Sequence, residues 1–140
     1  MPFDDEDLPY AEPDRELDRL AHEVIGAAIE VHKRLGAGLD ESLYRAAMCI
    51  ELRGRNIPFV CEATFDVIYR DVVIGQRRID LFVGDRLVVE LKAVERLAPV
   101  HKAQVRTYLK IAKCKLGLLI NFNEVLVKEG IVRIINSSEF

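Results

Sequence analysis

The stretch that decides the fold is RRIDLFVGDRLVVELKAV, residues 77–94. Apolar runs on either side of Gly84-Asp85 predict two strands joined by a hairpin turn. Yet three ionisable residues, Asp80, Glu90 and Lys92, fall inside those strands. Strand parity puts Glu90 and Lys92 on one face of the second strand and Leu87, Val89, Leu91 and Ala93 on the other. The place of Asp80 depends on the loop. A two-residue loop sets it opposite Val89, on the face away from Glu90. A three-residue loop of Gly84, Asp85 and Arg86 sets it opposite Glu90, and matches Leu81 with Val89, Phe82 with Val88 and Val83 with Leu87. The second register is the expectation here. It destabilises the sheet unless something positive lies between the two carboxylates. A divalent cation meets that need, because a carboxylate pair beside a carbonyl is the oxygen-rich setting that Mg²⁺ prefers. Lys92 would then lie beside the metal, able to orient or deprotonate a water and to stabilise developing negative charge. The plainer alternative is that all three residues form the solvated face of an edge hairpin.

Working outward, FVCEATFDVIY precedes this hairpin and Arg70-Asp71 marks its turn, so an antiparallel three-stranded meander is expected. Before it, Leu17, Leu20, Ala21, Val24, Ile25, Ala28, Val31 and Leu35 follow a 3.6-residue period from Asp14 to a stop at Gly36, which predicts a first helix. A second, over about residues 41–55, is capped by Asp40, with Leu43, Ala47 and Ile50 as its expected inner face and Gly54 and Pro58 as its end. After the meander, Pro99 opens a third helix over VHKAQVRTYLKIAK. LGLLINF reads as a strand buried on both faces, and GIVRIIN as a last strand. The order ααβββαββ describes a mixed sheet flanked by helices, without internal repeat.

The 140 residues suffice for one domain with a sizeable core, and half of them are hydrophobic. Residues 14–140 are taken as that domain, after a poorly ordered acidic segment at 1–13. No apolar run reaches the roughly 18 residues of a membrane span, and the acidic N-terminus is unlike a signal peptide, so the expectation is a cytoplasmic protein without membrane contact. Three cysteines, Cys49, Cys61 and Cys114, without CxxC spacing, argue against disulfides or zinc and for buried or half-buried packing. The formal net charge is −3, but residues 1–19 hold eight acids and two bases, which leaves residues 20–140 at +3. That balance permits phosphate contacts without requiring them.

Two further stretches bear on function. GAGLDESLY, residues 36–44, contains Gly38-x-x-Glu41-x-x-Tyr44, and APVHKAQVRTYLK, residues 98–110, sets Gln104 and Tyr108 one helical turn apart. With RRID, VVELKAV and LGLLINF these motifs resemble the GxxExxY family, a branch similar to the PD-(D/E)XK nuclease superfamily, over about residues 20–136. The resemblance implies a restriction-endonuclease-like three-layer α/β core. It also implies a metal-dependent hydrolysis of phosphodiester bonds in nucleic acid, DNA ahead of RNA, by metal-activated water. Asp80, Glu90, the Leu91 carbonyl and Glu41 would hold Mg²⁺, with Mn²⁺ as a substitute. Lys92 and Gln104 would position the water. Position 40 is Asp where relatives are often apolar, and a separate recognition domain is not seen. The rival expectation is a catalytically silent module of the same fold that binds nucleic acid or protein, and a homodimer or larger complex remains open.

Other residues carry weaker signals. Tyr44 and Tyr108 read first as packing residues with a bonded hydroxyl, and second as supporting members of a site. His101 shares a face with Gln104 and is a candidate proton shuttle. Arg106, Lys110, Lys113 and Lys115 are candidates for phosphate contacts, although such charges equally form a solvated helix face. His22 and His32 are read as structural or surface residues without partners.

Overall fold

Two helices open the described part of the chain, residues 14–136 of this computed structural model. The acidic segment expected over residues 1–13 lies outside the described residues. Helix α1 (Arg15–Leu35) starts at Asp14, whose Oδ1 accepts the Leu17 N–H at 2.9 Å, and stops at Gly36, where φ is 74°. Leu17, Ala21, Val24, Ala28 and Val31 form its buried stripe. Helix α2 (Glu41–Gly54) follows Asp40, which makes no side-chain cap bond. The inner face expected for α2 is corrected in part: Ala47 packs against the core, but Leu43 and Ile50 are 50% and 68% exposed, while Tyr44, Met48, Cys49 and Leu52 are buried. Tyr44, Met48 and Leu52 make an i, i+4, i+8 stripe of larger side chains, and the Tyr44 hydroxyl can enter the core because it is hydrogen bonded there.

Strands β1 (Phe59–Tyr69), β2 (Val72–Val83) and β3 (Leu87–Lys92) form the expected meander, and α3 (Pro99–Ala112), β4 (Leu116–Asn121) and β5 (Ile131–Ile135) complete the expected order. The sheet order is β1-β2-β3-β4-β5, antiparallel throughout except for the parallel β3–β4 pair. A parallel pair needs a crossover, and α3 supplies it. Helices α1 and α2 pack with Leu81, Val83, Leu87, Val89, Leu91, Leu118 and Ile120 on one side of the sheet. On the other side α3 packs with Val88, Leu119 and Ile134. This is a three-layer, restriction-endonuclease-like arrangement of helices around a mixed sheet.

Glycines allow close approaches on both sides of the sheet. A Cβ on Gly117 would lie 2.8 Å from Val105 Cγ1 and 3.2 Å from Leu109 Cδ2, so β4 lets α3 sit directly on it. Gly84 has φ 58° in the β2–β3 loop, and a Cβ there would meet Leu20 Cδ2 at 2.8 Å. Strand β4 is buried along its whole length, as its apolar run requires. Cys49 and Cys114 are buried, but Cys61 is exposed, because it lies on edge strand β1 at a surface hollow lined by Arg53, Asn56 and Pro58. His32 does have a partner: its Nε2 lies 2.8 Å from the Glu124 carbonyl oxygen, which accounts for its burial. Among the described residues no helix is long and apolar enough to cross a membrane.

Candidate functional site

The β2–β3 pairs are Val83 with Leu87, Phe82 with Val88 and Leu81 with Val89, which is the register of the three-residue loop. The ladder stops there, so the direct Asp80–Glu90 strand pair expected from that register is replaced by side-chain bonds. The Leu91 N–H donates to Asp80 Oδ2 at 2.8 Å, and the Asp80 N–H donates to Glu90 Oε1 at 3.4 Å. Like charges oppose direct pairing, and a backbone N–H on each side of the fork turns that conflict into two hydrogen bonds.

The same level of the sheet is irregular in β1. Glu62 has φ 53°, and the flanking pairs Cys61 with Leu81 and Ala63 with Ile79 leave Glu62 and Asp80 facing each other without a ladder bond. The alternation of faces changes here: Phe59 packs on the α1/α2 side, whereas Phe65, also an odd position, packs with Phe82 on the α3 side. Arg45 of α2 reaches this break. Its Nη1 lies 3.3 Å from Asp80 Oδ1 and its Nη2 lies 2.8 Å from Glu62 Oε1, while Arg78 Nη1 holds Glu62 Oε2 at 3.1 Å.

Glu90 is 5% exposed. Burial, reinforced by the Asp80 carboxylate and a side-chain hydrogen bond with it, pushes its pKa from 4.5 up to about 8. Lys92 Nζ, 3.7 Å from Glu90 Oε2, pulls the other way and loses. Glu41, in the first turn of α2, is also raised, by burial first and by Asp80 second. Tyr108 is raised by burial and then by the charge of Glu90, and its hydroxyl oxygen accepts from Gln104 Nε2 at 3.1 Å. Gln104 and Tyr108 are thus tied together on the α3 flank of Glu90.

The fold therefore brings Asp80, Glu90 and Lys92 together, with Glu41 and the Gln104–Tyr108 pair close enough to be felt electrostatically. It gives Tyr44 other work: the hydroxyl donates to the Gly36 carbonyl at 2.5 Å and accepts the Leu39 N–H at 3.2 Å, and the ring stacks on Phe122 with centroids 4.4 Å apart. His101 Nδ1 accepts the Ala98 N–H at 2.9 Å and closes the start of α3. Arg106 and Lys110 are exposed on α3. Lys113 and Lys115 border the hollow beside Arg86, just before β4, whose Leu119 pairs with Glu90.

Three residues that the sequence reading passed over also shape the site. Arg45 and Glu62 bracket Asp80. Asn121 is fully buried, and its amide accepts the Val94 N–H at 3.0 Å and donates to the Val94 carbonyl at 2.8 Å, anchoring the chain just after Lys92. Arg45 stands four residues after Glu41, hence on one helical face with it, and that spacing was the available signal.

Among the described residues no three acidic, histidine or cysteine side chains converge on one point. The Asp80–Glu90 pair nevertheless suits a hard divalent cation: both groups offer oxygens, they repel each other, and Mg²⁺ commonly binds through one or two carboxylates and keeps several waters. A family model described as the PD-(D/E)XK nuclease superfamily matches residues 18–134. The chain belongs to that superfamily. PD-(D/E)XK nucleases act on nucleic acid and generally use divalent metals, chemistry that suits an acidic pair beside a lysine. Among solved structures, the crystal structure of SSO0001 is similar, with a TM-score of 0.49 and 19% identity over 89% of this chain and 59% of that one. The chain thus spans less than two thirds of that neighbour's length. No curated protein matches it.

Proposed function

We propose that the chain is a metal-dependent nuclease domain of the GxxExxY branch, that Asp80, Glu90 and the Leu91 carbonyl hold its Mg²⁺ or Mn²⁺, and that DNA is its substrate. The observation that carries this reading is Glu90, a buried carboxyl kept within hydrogen-bond contact of Asp80 and 3.7 Å from Lys92. Two buried carboxyl groups that cannot both ionise without cost are a burden to a scaffold and useful to a cation site. The Leu91 N–H points at Asp80, and the N–H and C=O of one strand residue face the same side, which supports that carbonyl as a donor at the fork. When bound, a divalent cation supplies Lewis-acid charge that acidifies water and neutralises a phosphate. Lys92 orients the attacking water or takes its proton and offsets negative charge developing on the phosphate. Gln104, bonded to Tyr108, would steady that water, and Glu41 would reach the cation directly or through water. Arg106 and Lys110 are proposed as phosphate contacts, and the protein is proposed to work in the cytoplasm.

One observation favours a second reading, the silent binding module: Asp80 already has an ion-pair partner in Arg45. Incubation with single- and double-stranded DNA and RNA in Mg²⁺ or Mn²⁺ separates the two. The nuclease reading expects cleavage that Glu90→Gln and Lys92→Ala both abolish. Binding without cleavage in every arm supports the module instead.

A further inference from the structure

We propose that Arg45 competes with the divalent cation for Asp80, and that the cation enters the site as the Arg45 guanidinium is handed over to Glu62 alone. The inference rests on the reading that Asp80 and Glu90 form the metal site.

Both oxygens of Asp80 are engaged: Oδ2 by the Leu91 N–H at 2.8 Å and Oδ1 by Arg45 at 3.3 Å. The first donor is fixed in the backbone of β3. The second stands at the end of a long side chain whose other nitrogen is held by Glu62. Arg45 holds Glu62 more closely than Asp80, at 2.8 Å against 3.3 Å, so its stronger attachment is the one that does not involve the proposed ligand. Arg78, on the far oxygen of Glu62, keeps that carboxylate in place to receive it. One guanidinium thus bridges two acids that face each other across β1 and β2. A dication beside Asp80 would meet that positive charge a few ångströms away, and like charges at such range oppose binding strongly in a half-buried setting. Glu62 gives the displaced guanidinium a counter-charge, so the cation's arrival leaves no unpaired arginine in the site. Arg45 is therefore a positioning residue, one that sets how tightly the cation binds.

The test is the Mn²⁺ affinity of wild type, Arg45→Gln, Arg45→Lys and Glu62→Gln, measured by electron paramagnetic resonance and by the metal-induced rise in melting temperature. Arg45→Gln is expected to bind Mn²⁺ about tenfold tighter or more, with a lower metal-free midpoint and a larger rise on adding metal. Arg45→Lys keeps the charge but cannot bridge both acids, and is expected to fall between wild type and Arg45→Gln. Glu62→Gln removes the receiving carboxylate and is expected to bind more weakly than wild type. A purely structural Arg45 would instead weaken metal binding when replaced. Equal or weaker binding by Arg45→Gln overturns the proposal. Should that variant not fold, equal or weaker binding by Arg45→Lys overturns it. If wild type itself binds no Mn²⁺, the metal-site reading falls and this inference falls with it. Wild-type binding without any gain in the Arg45 variants removes the inference alone.

Discussion

Glu90 makes the sharpest residue-scale prediction. Its pKa is raised from 4.5 to about 8, so between these values the metal-free folded chain keeps a proton that the unfolded chain has released. Stability from this group is therefore full below pH 4.5 and is lost as pH rises through about 8. The slope can reach about 1.4 kcal/mol per pH unit, or about 3–5 °C in the midpoint of a domain this size. Glu90→Gln keeps the shape and removes the titration, so its midpoint should lie above wild type at pH 9 and the difference should shrink towards pH 5. Thermal melts across that range in chelator check the sign. Asp80→Asn is a less clean variant, because it also loosens Arg45 and alters the acceptor for Leu91. Lys92→Ala should lower cleavage by about 10²–10⁴-fold while the protein still binds Mn²⁺. A parallel loss of metal binding would reassign Lys92 to holding the site together. Asp80, Glu90 and Lys92 were legible because a strand's period is two. Arg45 was legible only as a residue on the Glu41 face of α2, and Glu62 not at all, since their pairing with Asp80 depends on how α2 and β1 meet the sheet edge.

At the scale of elements, the hairpins divide what sequence can and cannot say. Arg70 and Asp71 occupy a two-residue loop with φ of 48° and 66°, the positive values such loops require. Carried along β1 without interruption, that turn would set Glu62 opposite Ile79. A bulge on β2, where Ile74 is left out between the pairs Val67 with Gly75 and Ile68 with Val73, shifts the register by one and sets Glu62 opposite Asp80 instead. Gly75, a glycine inside a strand, is the one sign of it in the sequence, and it does not say by how much the register moves. On α2, Tyr44 does what its first reading expects of it, a packing residue with a bonded hydroxyl: its ring stacks on Phe122 and its hydroxyl ties the Gly36–Leu39 turn. Tyr44→Phe should lower stability by about 1–2 kcal/mol, because the Leu39 N–H loses its acceptor. It should leave the pH slope of Glu90 unchanged, and a changed slope would place Tyr44 in the site. Gly117→Val should be harsher on α3. Its side chain would displace Val105 and Leu109, costing about 1–3 kcal/mol, and should move Gln104 and Tyr108 away from Glu90, with lower cleavage as the second readout.

For the molecule as a whole, the order of elements and the three layers were legible because each run of sequence carries one period and clear stops. The fork between β2 and β3 was not, because it arises from a conflict between strand pairing and charge. Charge also limits how the protein can grip nucleic acid. Arg106 and Lys110 lie exposed on α3, which flanks Glu90, whereas Lys113 and Lys115 lie at the other end of β4. Replacing Arg106 or Lys110 by Ala should weaken binding for all sequences alike and reduce its salt slope by about one each. The same change at Lys113 or Lys115 should have little effect, and equal effects at all four would mean that the bound strand runs elsewhere. The central claim, that Asp80 and Glu90 form a divalent-cation site, is tested most directly by calorimetric titration of Mn²⁺ at pH 7 in two buffers of different ionisation enthalpy. Because burial and Asp80 raise Glu90 well above an ordinary carboxyl, binding should release protons, and Glu90→Gln should bind little Mn²⁺. Absent binding in wild type, or equal binding with no proton release in Glu90→Gln and wild type, would contradict it.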